Sequence, residues 1–321
     1  MKYYLAADGG GTKLNLILYD QNLKIIKAVK GSGINETRKD KDLILKECTE
    51  LVDELLSNVK VKEIEEFTYS LASSVTILQD VVADRVSVKR MVSYSEGQTV
   101  IASAGLSYGV VAQAGTGSDV FVYQPNLTKI IGGLGSVLGD DGGGFDIGLK
   151  SIKSAIKSYE NRGEKTLLEQ AVFEKFGVKD SRELVTLVRE KNFNEQISSV
   201  TYITSKLARQ GDKVAVEIYK NAGKDMAGQV NFALKVIGED NLVGKVIVSG
   251  GAWKGFNKMY KTFYKTVKKS YPNVQICFPY FEPIVGCVIA RLASSGVPFD
   301  KVKGKLKRNF ANYLFDKGDI R

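Results

Sequence analysis

The sequence predicts an α/β protein of two domains, and three observations carry that expectation. Strand-like and helix-like patterns alternate along the chain, a strand–glycine turn–strand unit at the N-terminus recurs around residue 115, and 321 residues exceed what one ordinary core requires. Hydrophobic residues make up 44% and charged residues 26%, with Gly plentiful and Pro scarce, so the chain can bury enough apolar surface to fold.

Tyr3 to Asp8, Lys13 to Tyr19 and Leu23 to Val29 read as three strands of a meander, the first two joined by a glycine turn. Leu43, Ile44, Cys48, Leu51, Val52 and Leu55 fall on one face of a helix, and Phe67 to Leu71 and Val86 to Val92 read as strands. Ser95-Glu96-Gly97 leads into a short apolar helix that ends near Ala104-Gly105. The second block repeats the opening with strands at Gly109 to Ala114, Asp119 to Tyr123 and Thr128 to Ile131. Helical stretches run from Asp146 to about Ile237, followed by a strand at Lys245 to Ser249, a Gly250-Gly251 turn, further helices and a short strand near Val274 to Cys277. The repeat sets a domain boundary near Tyr108, unmarked by any Pro- or Ser-rich linker.

Composition removes several function classes. No stretch approaches the roughly 20 apolar residues of a membrane span, and the N-terminus reaches Asp8 before an apolar signal core can form, so a cytoplasmic protein is expected. Cys48, Cys277 and Cys287 are scattered and include no CxxC pair, which points to buried thiols. Histidine is absent, so proton transfer falls to a carboxylate, or less readily to Lys, Tyr or Cys. The net charge of +10 suits an anionic ligand. Basic and acidic residues are intermixed except in Lys301 to Arg308, where Val302, Leu306, Phe310 and Tyr313 recur at helical spacing. That pattern describes a docked helix with a solvated basic face, and no nucleic-acid partner is expected.

Three glycine turns can carry chemistry. Asp8-Gly9-Gly10-Gly11-Thr12-Lys13 lies between two strands, where glycine lets backbone N–H groups approach a phosphate, or where it simply turns a hairpin. Asp8, at the end of the first strand, is placed to hold Mg²⁺ through water, since Mg²⁺ takes few direct carboxylates. Gly115-Thr116-Gly117-Ser118 repeats the arrangement and adds hydroxyls able to bind a phosphate. Ser249-Gly250-Gly251-Ala252 follows a third strand and leaves room for a flat base. A P-loop GxxxxGK[ST] is missing, and Gly133-Leu134-Gly135 with Gly139 breaks the spacing of GxGxxG.

In this order the motifs resemble the actin-like ATPase superfamily, and within it the group that joins N-acetylglucosamine kinases, archaeal hexokinases and BadF/BcrA-type ATPases. Asp8 to Lys13 looks like the first phosphate motif, Ala114 to Ser118 the second, and Val248 to Ala252 the adenosine motif. Gly132 to Phe145 is similar to the GxGxxLGDEGS segment of these sugar kinases, and Pro283-Ile284-Val285-Gly286-Cys287 resembles a helix start near the family's C-terminus. The resemblance implies two ribonuclease H-like domains, 1–107 and 108–321, each a mixed five-stranded sheet flanked by helices, with a cleft between them. It implies ATP and Mg²⁺ as cofactors, a hexose or amino-hexose as substrate, and a homodimer.

The resemblance also distributes roles. Gly10, Gly11, Thr12, Lys13, Gly115, Thr116, Gly117, Ser118, Gly250, Gly251 and Ala252 are expected at the nucleotide, and Gly115 and Thr116 also at the sugar. Asp140 resembles the acid that holds sugar hydroxyls, and Asn35 the sugar-contacting asparagine, although Asn35 equally suits a turn. Asp141 fits either the metal or a cap on the helix that begins near Phe145. Glu96 stands where the family has an aspartate base, within Tyr94-Ser95-Glu96-Gly97-Gln98, and is either the base or a solvated acid at a helix N-terminus. Ser70-Leu71-Ala72-Ser73 departs from the family's Gly-x-Ala-Gly turn. Trp253 suits either core packing or the neighbourhood of adenine. Two rival functions are an Fe–S-dependent ATPase activator of an acyl-CoA enzyme and a sugar- or nucleotide-binding sensor that lacks turnover.

Overall fold

The computed structural model describes the chain except residues 11, 12, 37, 38, 72, 191, 319 and 321. The expected calls on Gly11, Thr12 and Ala72 therefore lie outside the described residues. The first block holds β1 (Tyr3–Gly9), β2 (Lys13–Asp20), β3 (Ile25–Ser32), α1 (Lys41–Leu56), β4 (Glu63–Ile64), β5 (Glu66–Leu71), α2 (Val75–Ala83), β6 (Ser87–Val88), β7 (Met91–Ser93) and α3 (Glu96–Ser103). The second holds β8 (Gly109–Ala114), β9 (Ser118–Gln124), β10 (Leu127–Gly132), α4 (Gly135–Leu138), α5 (Gly144–Tyr159), α6 (Leu168–Phe176), α7 (Phe193–Arg209), α8 (Lys213–Ile237), β11 (Lys245–Ser249), α9 (Asn257–Ser270) and β12 (Ile276–Cys277). The chain closes with α10 (Pro283–Ser294) and α11 (Phe299–Asn309).

These elements form two mixed five-stranded sheets of the same order, β3-β2-β1-β5-β7 and β10-β9-β8-β11-β12. In each, the first three strands run antiparallel and the last two join in parallel. The expected α/β class with two such sheets is therefore what the chain adopts. Its division differs at the C-terminus. One compact unit combines Met1–Ser107 with Pro279–Phe315, and the other comprises Tyr108–Phe278 with the residues from Asp316 onward. The segment expected to complete a domain of 108–321 thus returns to the first sheet, because α10 offers that sheet an apolar face.

Period-two alternation in the first sheet shows why. Leu5, Ala7, Leu14, Leu16 and Leu18 point to one side, onto Ile44, Cys48, Leu51 and Leu55 of α1. Ala6, Ile17 and Tyr19 point to the other, onto Ile284, Val285 and Val288 of α10 and onto Phe310. Both faces are covered, so this sheet has no solvated side. The expected tail helix is α11, with Leu306 buried.

Two local expectations change. Val86 to Val92 is not one strand: Ser87–Val88 pairs with β4 in a separate two-stranded ribbon, and Met91–Ser93 pairs with β5 in the main sheet. The third strand begins at Ile25, since Asp20 Oδ1 accepts from the N–H groups of Asn22 and Lys24 and Leu23 takes φ 61°.

Candidate active site

In the first unit the chemistry gathers at the C-terminal end of β1. Asp8 is half-buried there, paired with Asn15 of β2 and Ser70 of β5. Burial pushes its carboxyl up to about 7, against the pull of the Lys13 ammonium, and the charges of Glu96 and Glu282 push the same way as burial. Asp8 and Glu96 are thus within electrostatic reach of each other. Glu282 is the acid that sequence reasoning missed. Its signal is visible in retrospect, since Glu282 is the N-cap residue directly ahead of Pro283 at the start of α10.

Beyond Asp8, the backbone at Gly10 is open among the described residues. A methyl group at Gly10 would meet nothing within 4 Å, whereas one at Gly9 would press on Leu14 and Leu71. Gly10 donates to the Lys13 carbonyl and accepts from the Ile34 N–H, which ties the Asn35 loop to the turn. Asn35 is half-buried, and its carbonyl receives the Lys39 N–H at 3.1 Å. Lys13 opens β2 as an exposed residue.

Glu96 occupies the first turn of α3, behind a capping box in which Ser95 Oγ accepts from Gln98 N–H and the Gln98 side chain accepts from Ser95 N–H. Backbone contact fixes the helix in place. A side chain at Gly286 of α10 would stand 2.0 Å from the Thr99 carbonyl of α3, so α10 and α3 meet without side chains between them. Glu96 itself is exposed, and its charge acts on the Asp8 carboxyl.

In the second unit the β8–β9 turn and the segment after α4 form one body. Gly144 N–H donates to Gly115 O and Phe145 N–H to Thr116 O, both at 2.8 Å. A side chain at Gly117 would strike the Asp140 carboxylate at 2.5 Å, which places that carboxylate on the turn. Gly115, Thr116, Gly117 and Asp140 are therefore brought together. A side chain at Gly115, like one at Gly10, would enter open space.

Four details bear on the expected roles. The Ser118 hydroxyl is buried and donates to the Asp141 carbonyl at 2.8 Å, so it locks the turn to the segment that follows α4. Asp141 does not cap α5, whose N-cap is Gly143 with no side-chain bond. Trp253 is fully buried and donates through Nε1 to the Ala112 carbonyl, which makes it core and removes it from the adenine region. Ala252 is also buried. At the third turn Gly250 takes φ +110°, where a side chain would lie 2.2 Å from the Ala114 carbonyl, so only glycine lets β11 end against β8. Gly251 faces open space.

Among the described residues, no three of His, Cys, Asp and Glu gather as a metal-holding group. The half-buried Asp8 carboxyl is one whose charged form a nearby cation would favour.

Comparison with known proteins gives the lineage. The model of the BadF/BadG/BcrA/BcrD ATPase family matches residues 7–290. This chain belongs to that family. An N-acetylmuramic acid/N-acetylglucosamine kinase of Clostridium acetobutylicum is 27% identical over 302 residues, covering 90% of this chain and 98% of the relative. An N-acetyl-D-glucosamine kinase of Dictyostelium discoideum is 22% identical over 315 residues, 91% of this chain and 98% of its own. Among solved structures, a protein assigned as an N-acetylglucosamine kinase from Chromobacterium violaceum superposes with TM-score 0.70 at 16% identity, covering 90% of this chain and 98% of that one. A ROK family glucokinase from Streptomyces griseus, in complex with glucose and AMPPNP, superposes at TM-score 0.55 and 16% identity, with 90% and 97% covered. The structural likenesses establish an actin-like ATPase fold for this family member.

Proposed function

We propose that the protein is an ATP-dependent sugar kinase that transfers the γ-phosphoryl group of ATP to a hydroxyl of a hexose or amino-hexose. The observation that carries the reading is the half-buried Asp8 carboxyl beside the open backbone of Gly10, within reach of a second acid, Glu96. The names of the two relatives that span nearly the whole chain support an N-acetylated amino sugar as acceptor.

In this reading the backbone of the β1–β2 and β8–β9 turns binds phosphate oxygens, and Gly250 and Gly251 border the adenosine. Asn35 and Asp140 hold sugar hydroxyls. Glu96 takes the proton of the attacking hydroxyl as the new O–P bond forms and the bond from the γ-phosphorus to the β–γ bridging oxygen breaks, releasing ADP. Asp8 would hold Mg²⁺ through water, and the ion would supply charge neutralisation for the phosphoryl oxygens. Most of the acceleration then comes from positioning. The protein acts in the cytoplasm as a homodimer. Among the described residues no helix is long and apolar enough to cross a membrane.

The redox alternative has less support, because Cys48 and Cys287 are buried in the first unit and Cys277 is half-buried in the second. A coupled ADP-release assay with ATP and Mg²⁺ against hexoses, amino sugars and N-acetyl amino sugars tests the proposal. Sugar-dependent ADP release, greatest with an N-acetyl amino sugar, is expected. Sugar binding without turnover across the panel would move the protein to the sensor reading.

A further inference from the structure

Asp140 is held in an uncommon backbone conformation. Its φ of 62° lies in the left-handed region, which non-glycine residues rarely occupy, and Gly142 follows at φ 85°. Such a segment keeps its shape only where its surroundings determine it. The surroundings are a three-residue chain of charge. Gly142 N–H donates to Asp146 Oδ2 at 2.9 Å, Lys150 Nζ donates to the same oxygen at 2.7 Å, and Lys150 reaches Asp225 Oδ2 of α8 at 2.9 Å. The Asp146 side chain is only 15% exposed. Burial alone would pull the Lys150 amine down, but its bonds to Asp146 and Asp225 lift it above the ordinary lysine range. Gly142 is also pressed onto α8, since a side chain there would stand 2.8 Å from the Ala222 carbonyl.

Asp146 is the third residue of α5, the position from which an acid commonly reaches back to the N-cap N–H. Here it reaches one residue further, past Gly143 to Gly142, and so grips the segment that carries Asp140.

We infer that Asp146, locked by Lys150 and Asp225, is a positioning residue for the sugar acid Asp140 and thereby governs sugar affinity more than ATP affinity. The inference rests on the sugar-kinase reading for Asp140. The difference follows from the connections: Asp146 grips Gly142 directly, whereas the β8–β9 turn has bonds of its own from Gly144 and Phe145 N–H to Gly115 and Thr116, and meets the gripped segment through Ser118 Oγ on the Asp141 carbonyl.

The test compares wild type, Asp146→Ala and Asp146→Asn by steady-state kinetics and by hydrogen exchange of the peptide covering residues 139–144. Losing the Gly142 bond and the ion pair together should raise KM for the sugar about tenfold in Asp146→Ala, while KM for ATP stays within about twofold. Asp146→Asn keeps an acceptor for Gly142 and should recover most of that loss. Exchange in the peptide should be about tenfold faster in Asp146→Ala than in wild type. Equal rises in both KM values, a fall in kcat that merely tracks lost thermal stability, or unchanged exchange would overturn the inference. Wild type without turnover on any sugar would instead overturn the kinase reading, and the exchange comparison would still decide whether Asp146 holds the segment.

Discussion

Asp8 in the first sheet and Gln113 in the second occupy the same place. Each stands two residues before the open glycine of its turn, Gly10 or Gly115, and each has a polar residue opposite on the antiparallel neighbour and a serine opposite on the parallel one. The carbonyl just before each also receives a side-chain donor, Cys287 Sγ at Ala7 and Trp253 Nε1 at Ala112. The scaffold is repeated down to these details, yet the chemistry is not. The first sheet places an ionisable group at this position and ties its turn to the following loop through the Ile34 N–H on Gly10, whereas the second has a neutral amide there and braces its turn through the N–H groups of Gly144 and Phe145. At the strand end the first unit thus presents a charge, while the second presents a turn held by backbone bonds, with its own charges at Asp146, Lys150 and Asp225 lying behind the following segment.

The largest effect should come from exchanging the equivalent residues. Asp8→Asn is expected to lower kcat by 10³-fold or more on the order of losing a metal-positioning carboxylate, whereas Gln113→Glu should change it by less than about tenfold, in the same ADP-release assay. Equal sensitivity of the two sites would erase the asymmetry. Next is Glu96→Ala, which should cost roughly 10²–10⁴-fold in kcat as expected for a lost general base, with nucleotide affinity by calorimetry nearly unchanged. Wild-type turnover in that variant would remove Glu96 from the mechanism.

Glycines sharpen the contrast between the turns. Gly143→Ala would set a methyl group 2.7 Å from the Gly117 carbonyl carbon, so it should destabilise the protein by about 1–3 kcal/mol in chemical denaturation. Gly10→Ala meets open space and should leave stability within about 1 kcal/mol while raising KM for ATP.

A separate effect, on stability alone, concerns Asp8 and pH. Its carboxyl titrates near 3.8 when unfolded and at about 7 when folded, so between those values the native state holds the extra proton. Stability therefore falls as pH rises through that window, and the full cost is present above pH 7. Asp8→Asn should melt higher than wild type at pH 8 in the absence of ligand, by up to ~4 kcal/mol of stability, and no higher at pH 3.5. A variant less stable than wild type at pH 8 would contradict the burial cost.

Much of this was legible along the chain, because strand alternation, helical faces and glycine turns are local. The duplicated strand–turn–strand units, the face of α1 and the end of β1 at Asp8 all follow from neighbours within a few residues. Contacts across long stretches were not legible. Nothing near Glu282 announces that α10 returns to the first sheet and carries its charge to Asp8, and nothing near Ser118 shows that its hydroxyl turns to Asp141. Helix α2 went unrecognised because Val75, Thr76, Ile77, Val81 and Val82 favour strands locally, and only the packing of Leu78, Val81 and Val82 against the core makes the segment helical. Asp146 was read only as the beginning of a helical stretch. Its grip on Gly142 depends on the turn that brings the two together.

Proton release on binding Mg²⁺-ATP tests the charged pole most directly. Measured by calorimetry at pH 6 in buffers of different ionisation enthalpy, wild type should release about one proton more per site than Asp8→Asn, and the difference should shrink toward zero at pH 8. Identical proton release by the two proteins at pH 6 would contradict a metal–nucleotide pole at Asp8.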